Sequence, residues 1–369
     1  PFFPLGFFLG PSDEENLARI ASAGYNTVLC YGYGREGKDP VGFLDRAMNQ
    51  GLWVVYSLKD HYKHHRGFPA DKYRNGAEMA RQVHVPMLKD HPALLAWYIN
   101  DEEWPNATRK GQLMAMQTML KQEDPNHPTV SVINKPRQAS LYVETTDILG
   151  PDPYPVPDKP LTMVTDWMRM IHEAVDGKKP VWGVPQIFAN GIYSARVPKS
   201  PENVTDREPT FPEKRCMTYQ MLINKANGLL YYSYADLFRR RGRQNESEHE
   251  VQLMFERKWS DMKCIGYELS QLAPVLLKAE PYDIGRHYHP LQTFIEFSTY
   301  THEDEFYVLL ANPNPALGAR TLKVELPEGT WRFKGTLGGD VMVQCVKGST
   351  LEIMIGPYGA DTVIAERVE

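Results

Sequence analysis

Eight short apolar runs, each followed by a longer stretch of helical periodicity, constrain this chain more than anything else in it. The runs are Leu5–Leu9, Thr27–Tyr31, Trp53–Leu58, Leu94–Ile99, Thr129–Ile133, Ile148–Gly150, Val181–Val184 and Leu229–Ser233. Amphipathic stretches such as Glu14–Ala23, Gly42–Asn49, Gly76–Lys89, Lys110–Gln122, Thr162–Val175 and Glu213–Ala226 lie between them. A spacing of roughly 20 to 45 residues leaves room for a helix in each crossover, as parallel strands require. Eight such units ending near Asp236 predict a closed (β/α)₈ barrel rather than an open sheet.

The remainder has another texture. Glu248–Leu277 reads as a long final helix. Beyond Pro281, short runs such as Phe294–Phe297, Phe306–Ala311, Arg320–Glu325, Leu351–Ile355 and Thr362–Ala365 are separated by turns such as Pro327-Glu328-Gly329 and Gly338-Gly339-Asp340. Short strands at this spacing predict an antiparallel β-sandwich. The expected division is therefore a barrel over residues 1–280 and a sandwich over 281–369. The 369 residues suit that sum, since a barrel takes about 250 residues and the sandwich about 100.

Charge and cysteine usage exclude several classes. A net charge of −5 argues against nucleic acid as partner, because phosphate binding needs a basic face. The basic run Arg239–Arg243 reads first as a solvated loop, with contact to an acidic substrate as the alternative. Cys30, Cys216, Cys264 and Cys345 have neither C-x-x-C spacing nor histidines at zinc-ligand spacing, so buried thiols are expected and no metal or cofactor. No apolar run is long enough for a membrane span. The start, Pro1-Phe2-Phe3-Pro4, looks trimmed, which leaves secretion or periplasmic export open. Oligomeric state is not legible.

In such a barrel the catalytic groups stand at the C-terminal ends of the strands. Strand two is followed there by Tyr31-Gly32-Tyr33-Gly34, strand three by Lys59-Asp60-His61-Tyr62 and strand four by Asn100-Asp101-Glu102-Glu103-Trp104. Asn134-Lys135, Asp152-Pro153-Tyr154, Gln186-Ile187-Phe188 and Tyr234-Ala235-Asp236 follow the later strands. Acids, amides and aromatic rings suit a sugar, whose apolar faces stack on rings while its hydroxyls bond amides and carboxylates. Three adjacent acids in a partly dry cleft repel, so at least one should stay protonated near neutral pH, as a general acid must. A solvated acidic loop, or the first turn of a helix, is the competing reading.

Other candidates divide similarly. His61, His64 and His65 beside Asp60 match no standard metal site and read as a surface loop, although His61 remains a candidate substrate contact. Alternation along a strand puts Tyr232 and Tyr234 on one face and Tyr231 on the other, with Tyr234 favoured for the cleft. Trp182 is expected in barrel packing, and Trp97 or Trp104 could stack on a sugar, Trp104 being the better placed.

The stretch His91-Pro92-Ala93-Leu94-Leu95-Ala96-Trp97-Tyr98-Ile99-Asn100-Asp101-Glu102 resembles the P-x-L-x-x-W-x-x-x-(N/D)-E end of strand four in (β/α)₈ glycoside hydrolases. Asp124-Pro125-Asn126-His127-Pro128 is similar to their lead into strand five, and Pro151-Asp152-Pro153-Tyr154-Pro155 to a D-x-Y-P ending of strand six. The resemblance spans most of Pro1–Asp236 and implies a glycosidase acting on an oligo- or polysaccharide. It implies Glu102 as the acid that protonates the leaving oxygen and Asp101 as the contact to the sugar 2-substituent. Retaining members carry a nucleophilic Glu at the end of strand seven, where this chain has Gln186. That leaves an inverting mechanism with Asp152 as base, substrate assistance by a 2-acetamido group, or a nucleophile elsewhere among Glu103, Asp60 and Asp236. It also leaves a barrel that binds sugar without cleaving it. The expected substrate contacts are Tyr33, Asp60, His61, Glu103, Trp104, Asn134, Tyr154, Gln186 and Tyr234.

Overall fold

The computed structural model describes residues 2–32, 38–62, 65, 68–102, 109–193, 207–239, 247–282, 295–347 and 350–368. The eight expected runs are strands: β1 Leu5–Phe8, β2 Thr27–Cys30, β3 Trp53–Ser57, β4 Leu94–Asp101, β5 Thr129–Ile133, β6 Ile148–Pro151, β7 Trp182–Gly183 and β8 Gly228–Tyr231. All pair in parallel, in the order β6-β5-β4-β3-β2-β1-β8-β7. A parallel bridge between Leu149 and Val181 joins the two ends, so the sheet is a barrel. Gly150 sits at that seam, where a Cβ would lie 2.3 Å from the Trp182 carbonyl oxygen. Only a residue without a side chain lets β6 and β7 come this close.

The helices between strands are α1 Glu14–Ser22, α2 Pro40–Asn49, α3 Gly76–Met79, α4 Val85–Leu88, α5 Lys110–Glu123, α6 Thr162–Val175 and α7 Phe211–Ile223. Side-chain caps from Asp13, Asp39, Asn75 and Thr210 open four of them. The expected helix from Gly76 to Lys89 is broken by a π-helical stretch, Ala80–His84. Pro86 has no N–H to donate to the preceding turn, and the wider turn accommodates the gap.

The final helix, α8 Glu248–Leu276, buries Phe255, Trp259, Met262, Leu269 and Leu272. Cys264 lies off that stripe and is exposed, contrary to the expectation of buried thiols, whereas Cys216 is buried. Two antiparallel sheets follow. One contains β9 Glu280–Pro281, β10 Glu296–His302, β11 Glu305–Ala311, β13 Trp331–Thr336 and β16 Ala360–Arg367; the other contains β12 Arg320–Glu325, β14 Val341–Lys347 and β15 Thr350–Ile355. Alternate residues of both sheets, among them Phe306, Val308, Leu322, Val324, Ile353 and Val363, meet in one core, the packing of a β-sandwich.

α7 lies between barrel and sheets and is buried on nearly all sides, so it lacks the expected amphipathic stripe. Its charged residues are matched in pairs. Arg215 donates two 2.7 Å hydrogen bonds to Glu268 of α8 and bonds Asp340 near the start of β14, while Lys214 lies 2.9 Å from Asp261. Among the described residues, no helix is long and apolar enough to cross a membrane.

Candidate active site

Every second residue of a barrel strand points inward, and the apolar layer inside contains Leu29, Val55, Tyr98, Val130, Val132, Ile148 and Leu230. Counting by twos toward the C-terminal ends reaches Tyr31, Lys59, Asn134, Asp152 with Tyr154, and Tyr232. These side chains converge at one end of the barrel.

β4 does not follow the simple count. Strict alternation from Tyr98 would turn Asp101 toward the helices. Its pairing with β5 shifts instead: Tyr98 faces Val130, Asn100 faces Ser131 and Asp101 faces Val132. The extra residue, Ile99, is a β-bulge, which restores Asp101 to the inward face. Its Oδ1 accepts hydrogen bonds from Tyr98 at 2.6 Å and Tyr31 at 2.9 Å, and Lys59 Nζ lies 3.3 Å from Oδ2. The phenol rings of Tyr31 and Tyr98 are stacked at 6.1 Å, and the Lys59 ammonium lies over Tyr31 at 4.3 Å. Two hydrogen-bond donors and a cation thus surround the Asp101 carboxyl.

Glu102 follows with φ +61° and its N–H bonded to Val132 O at 2.9 Å. Residues with side chains rarely adopt this left-handed conformation, and where they do the strain tends to coincide with a functional site. The Glu102 carboxyl accepts a 2.8 Å bond from Asn134 Nδ2 and is hydrogen-bonded to Asp152. Burial and then the Asp101 charge push Glu102 above the usual carboxylate range, against the opposing effects of Asp152, Asn134 and Lys59. Asp152 is almost completely buried. A direct hydrogen bond is shorter than the separations of about 5 to 9.5 Å across which paired glycosidase carboxyls act. Asp152 therefore stands beside Glu102, not across a cleft from it.

An aromatic ledge adjoins the acids. Tyr232 packs on Phe8, Tyr154, Phe188 and Tyr193 with ring centroids 5.4–6.0 Å apart. Burial and then the charges of Asp152, Tyr232, Glu102 and Asp101 raise the Tyr154 phenol, placing it in the field of the acid cluster.

The structure brings together Asp101, Glu102, Asp152, Asn134 and Tyr154. Asp60 joins at one remove, through Lys59 at 3.0 Å. Three expected contacts, Gln186, His61 and Tyr234, lie elsewhere, as does the candidate stacking ring Trp97. Gln186 is fully buried, with Oε1 accepting from Val156 N at 2.9 Å and Nε2 donating to Val156 O at 2.8 Å and Phe188 O at 3.0 Å. Its amide clamps the loop after β6, with both N–H groups spent on backbone carbonyls. His61 packs edge-on against His84 at 4.5 Å and is buried, because β3 ends at Ser57 and the chain turns before reaching it. Tyr234 belongs with Tyr231, not Tyr232: β8 ends at Tyr231, Tyr234 opens a 3₁₀ turn, and its hydroxyl donates to Asn16 Oδ1 at 2.7 Å among Phe7, Phe255 and Trp259. Trp97 is fully buried and donates to Asp124 at 2.7 Å, so it offers no face to a sugar. Asp236, a candidate nucleophile, is also fully buried. Trp182 is buried in the inner barrel layer. Tyr33, His64, Glu103 and Trp104 lie outside the described residues.

Lys59 escaped the sequence reading, and Tyr232 was paired there with Tyr234, which was favoured for the cleft, although period-two counting from Val55 and Leu230 reaches both. Among the described residues, no cluster of three histidine, cysteine or acidic side chains could hold a metal ion.

No protein-family model matches the chain, and no curated protein sequence matches it. Solved structures do. A glycoside hydrolase family 5 protein from Bacteroides vulgatus ATCC 8482 superposes with TM-score 0.65 at 13% identity, covering 100% of this chain and 90% of that one. A GH30 endoxylanase from Clostridium papyrosolvens C71 gives 0.55 at 11% identity, covering 99% and 96%. The alpha-amylase of Geobacillus thermoleovorans, complexed with acarbose, gives 0.59 at 11% identity, covering 100% and 99%. The chain thus has the fold of the barrel glycoside hydrolases, trailing sheets included.

Proposed function

We propose that this protein is a glycoside hydrolase in which Glu102 protonates the leaving glycosidic oxygen. One observation carries the reading: at the end of β4, a half-buried carboxyl in a left-handed backbone conformation is pushed above the usual carboxylate range by burial and by the neighbouring Asp101. Asn134 and Asp152 fix its orientation. Asp101, held by two phenols and Lys59, is placed to orient the ring substituent nearest the scissile bond, and its charge stabilises the positive charge that develops on the sugar. Asp152 then acts through Glu102 as its hydrogen-bond partner. Tyr154 and Tyr232 line the cleft beside the acids, and Asp60 tethers Lys59. The chemistry belongs to the barrel, residues 1–280, with the sheets of 281–369 as its support. β9, Glu280–Pro281, pairs with β10 and straddles that boundary.

A screen against aryl glycosides and polysaccharides, following released reducing sugar in the parent and in Glu102→Gln, tests the proposal. Turnover by the parent that disappears in Glu102→Gln is the expected result; equal turnover would refute the assignment. Gln186 standing where a carboxylate would serve as nucleophile favours one rival reading, a barrel that binds sugar without cleaving it. Saturable oligosaccharide binding with no product from any substrate would establish that rival.

A further inference from the structure

Tyr193 is a large ring left 48% exposed at the far end of the aromatic ledge, just after the 3₁₀ turn Asn190–Ile192. Its hydroxyl donates to Asp236 Oδ2 at 2.7 Å. Asp236 is fully buried and also accepts from Ser233 Oγ at 2.5 Å and Arg239 Nη1 at 3.3 Å. The flank of the ring packs against Phe188 at 5.4 Å and Tyr232 at 6.0 Å. The ring is thus anchored at its hydroxyl and along one flank, with much of its surface still open.

Burying a carboxylate is costly unless it is bonded, and here the bonding fixes an exposed side chain. An immobilised ring has already lost the rotamer freedom that a mobile one would lose on binding. From Tyr193 the ledge passes through Tyr232 to Tyr154, which lies in the field of Asp152, Glu102 and Asp101. Those acids repel an anionic sugar, while a neutral pyranose can lay its C–H face on the ring. We propose that Tyr193, set from behind by Asp236, is a stacking platform for a neutral pyranose ring of the substrate, one subsite away from the bond that Glu102 cleaves. The inference rests on the glycosidase reading, and Asp236 is the positioning residue.

The test is calorimetric titration of Glu102→Gln protein, in which turnover is suppressed, with cellotetraose, xylotetraose, chitotetraose and tetragalacturonate. Tyr193→Ala, Tyr193→Phe, Tyr193→Trp and Asp236→Asn are made in the same background, with thermal melts to verify folding. At least one neutral tetraose should bind. Tyr193→Ala should weaken it by about tenfold or more, Tyr193→Trp should retain most of the affinity, and Tyr193→Phe should lose a few-fold. Asp236→Asn should add little to Tyr193→Phe, since both act on binding through the Tyr193–Asp236 contact. Equal affinity in Tyr193→Ala, binding of tetragalacturonate alone, or no binding of any of the four would each overturn the proposal. Failure of the hydrolase reading appears separately, as unchanged turnover in Glu102→Gln.

Discussion

Asn134 Nδ2 donates to the Glu102 carboxyl at 2.8 Å, and burial pushes that carboxyl above the usual carboxylate range. A proton held at the end of β4 is what protonation of a leaving oxygen requires. Replacing Glu102 by Gln removes it with little change in volume. Turnover should fall by about 10² to 10⁴-fold while the melting temperature stays close to that of the parent. Retained activity within a few-fold would reject Glu102.

The pH profile should carry the mark of Asp101. Glu102 must be protonated to act, and its range is raised by burial and then by the Asp101 charge. Rate should therefore fall on the alkaline side as Glu102 ionises. Asp101→Asn removes one of the two raising influences, so its alkaline limb should move to lower pH, in addition to any loss of rate. An alkaline limb that stays in place would show that Asp101 does not act on Glu102 electrostatically.

Gln186→Glu is a test of the β7 end. The amide donates to two backbone carbonyls, and a carboxylate there would face both with lone pairs. A cost of about 1 to 3 kcal/mol in urea unfolding is expected, with no gain of activity. A stable, more active variant would mean that this position reaches the substrate after all.

His84 should make the fold acid-sensitive. Burial, then the neighbouring His61, lowers it to about 3 from an ordinary value near 6.5. Below about pH 6.5 the unfolded chain takes up a proton that the folded chain refuses, so stability is present above that pH and is lost as pH falls toward 3. Unfolding of the parent and of His84→Phe, followed from pH 7 to pH 4, should show a flatter dependence in the variant.

Arg215 should matter to stability. It is almost fully buried against the equally buried Glu268 and Asp361, so Arg215→Ala leaves buried acids without their cation. A loss of about 3 to 5 kcal/mol is expected, measured by chemical denaturation. A loss under about 1 kcal/mol would show that water reaches these groups.

Most of this molecule was legible because period-two and helical patterns are local properties. All eight barrel strands fall within two residues of their expected ends, since each apolar run is bounded by turn or cap residues. Lys59 was equally legible by parity, yet its neighbours Asp60 and His61 drew attention because their side chains look more reactive. Gln186 was misplaced for another reason. It does follow β7, but where an amide spends its hydrogen bonds depends on Val156, 30 residues away in sequence. Tyr234 failed because strand alternation was extended beyond the strand's end. The contact between Glu102 and Asp152 was not legible, because it depends on how far β4 and β6 project and no local pattern records that.

The bulge at Ile99 separates what makes this chain fold from what would make it work. Paired with β5 without the bulge, Ile99 would face Ser131 and Asn100 would face Val132, with the apolar layers from Leu94 to Tyr98 untouched. Such a chain would close the same barrel, yet present Asn100 where the carboxylate now stands. One irregular pairing, to which the core is indifferent, therefore decides whether the wall shows a negative charge to its interior. Ironed flat, this strand would be a sound scaffold with its anion turned to the wrong side of the wall.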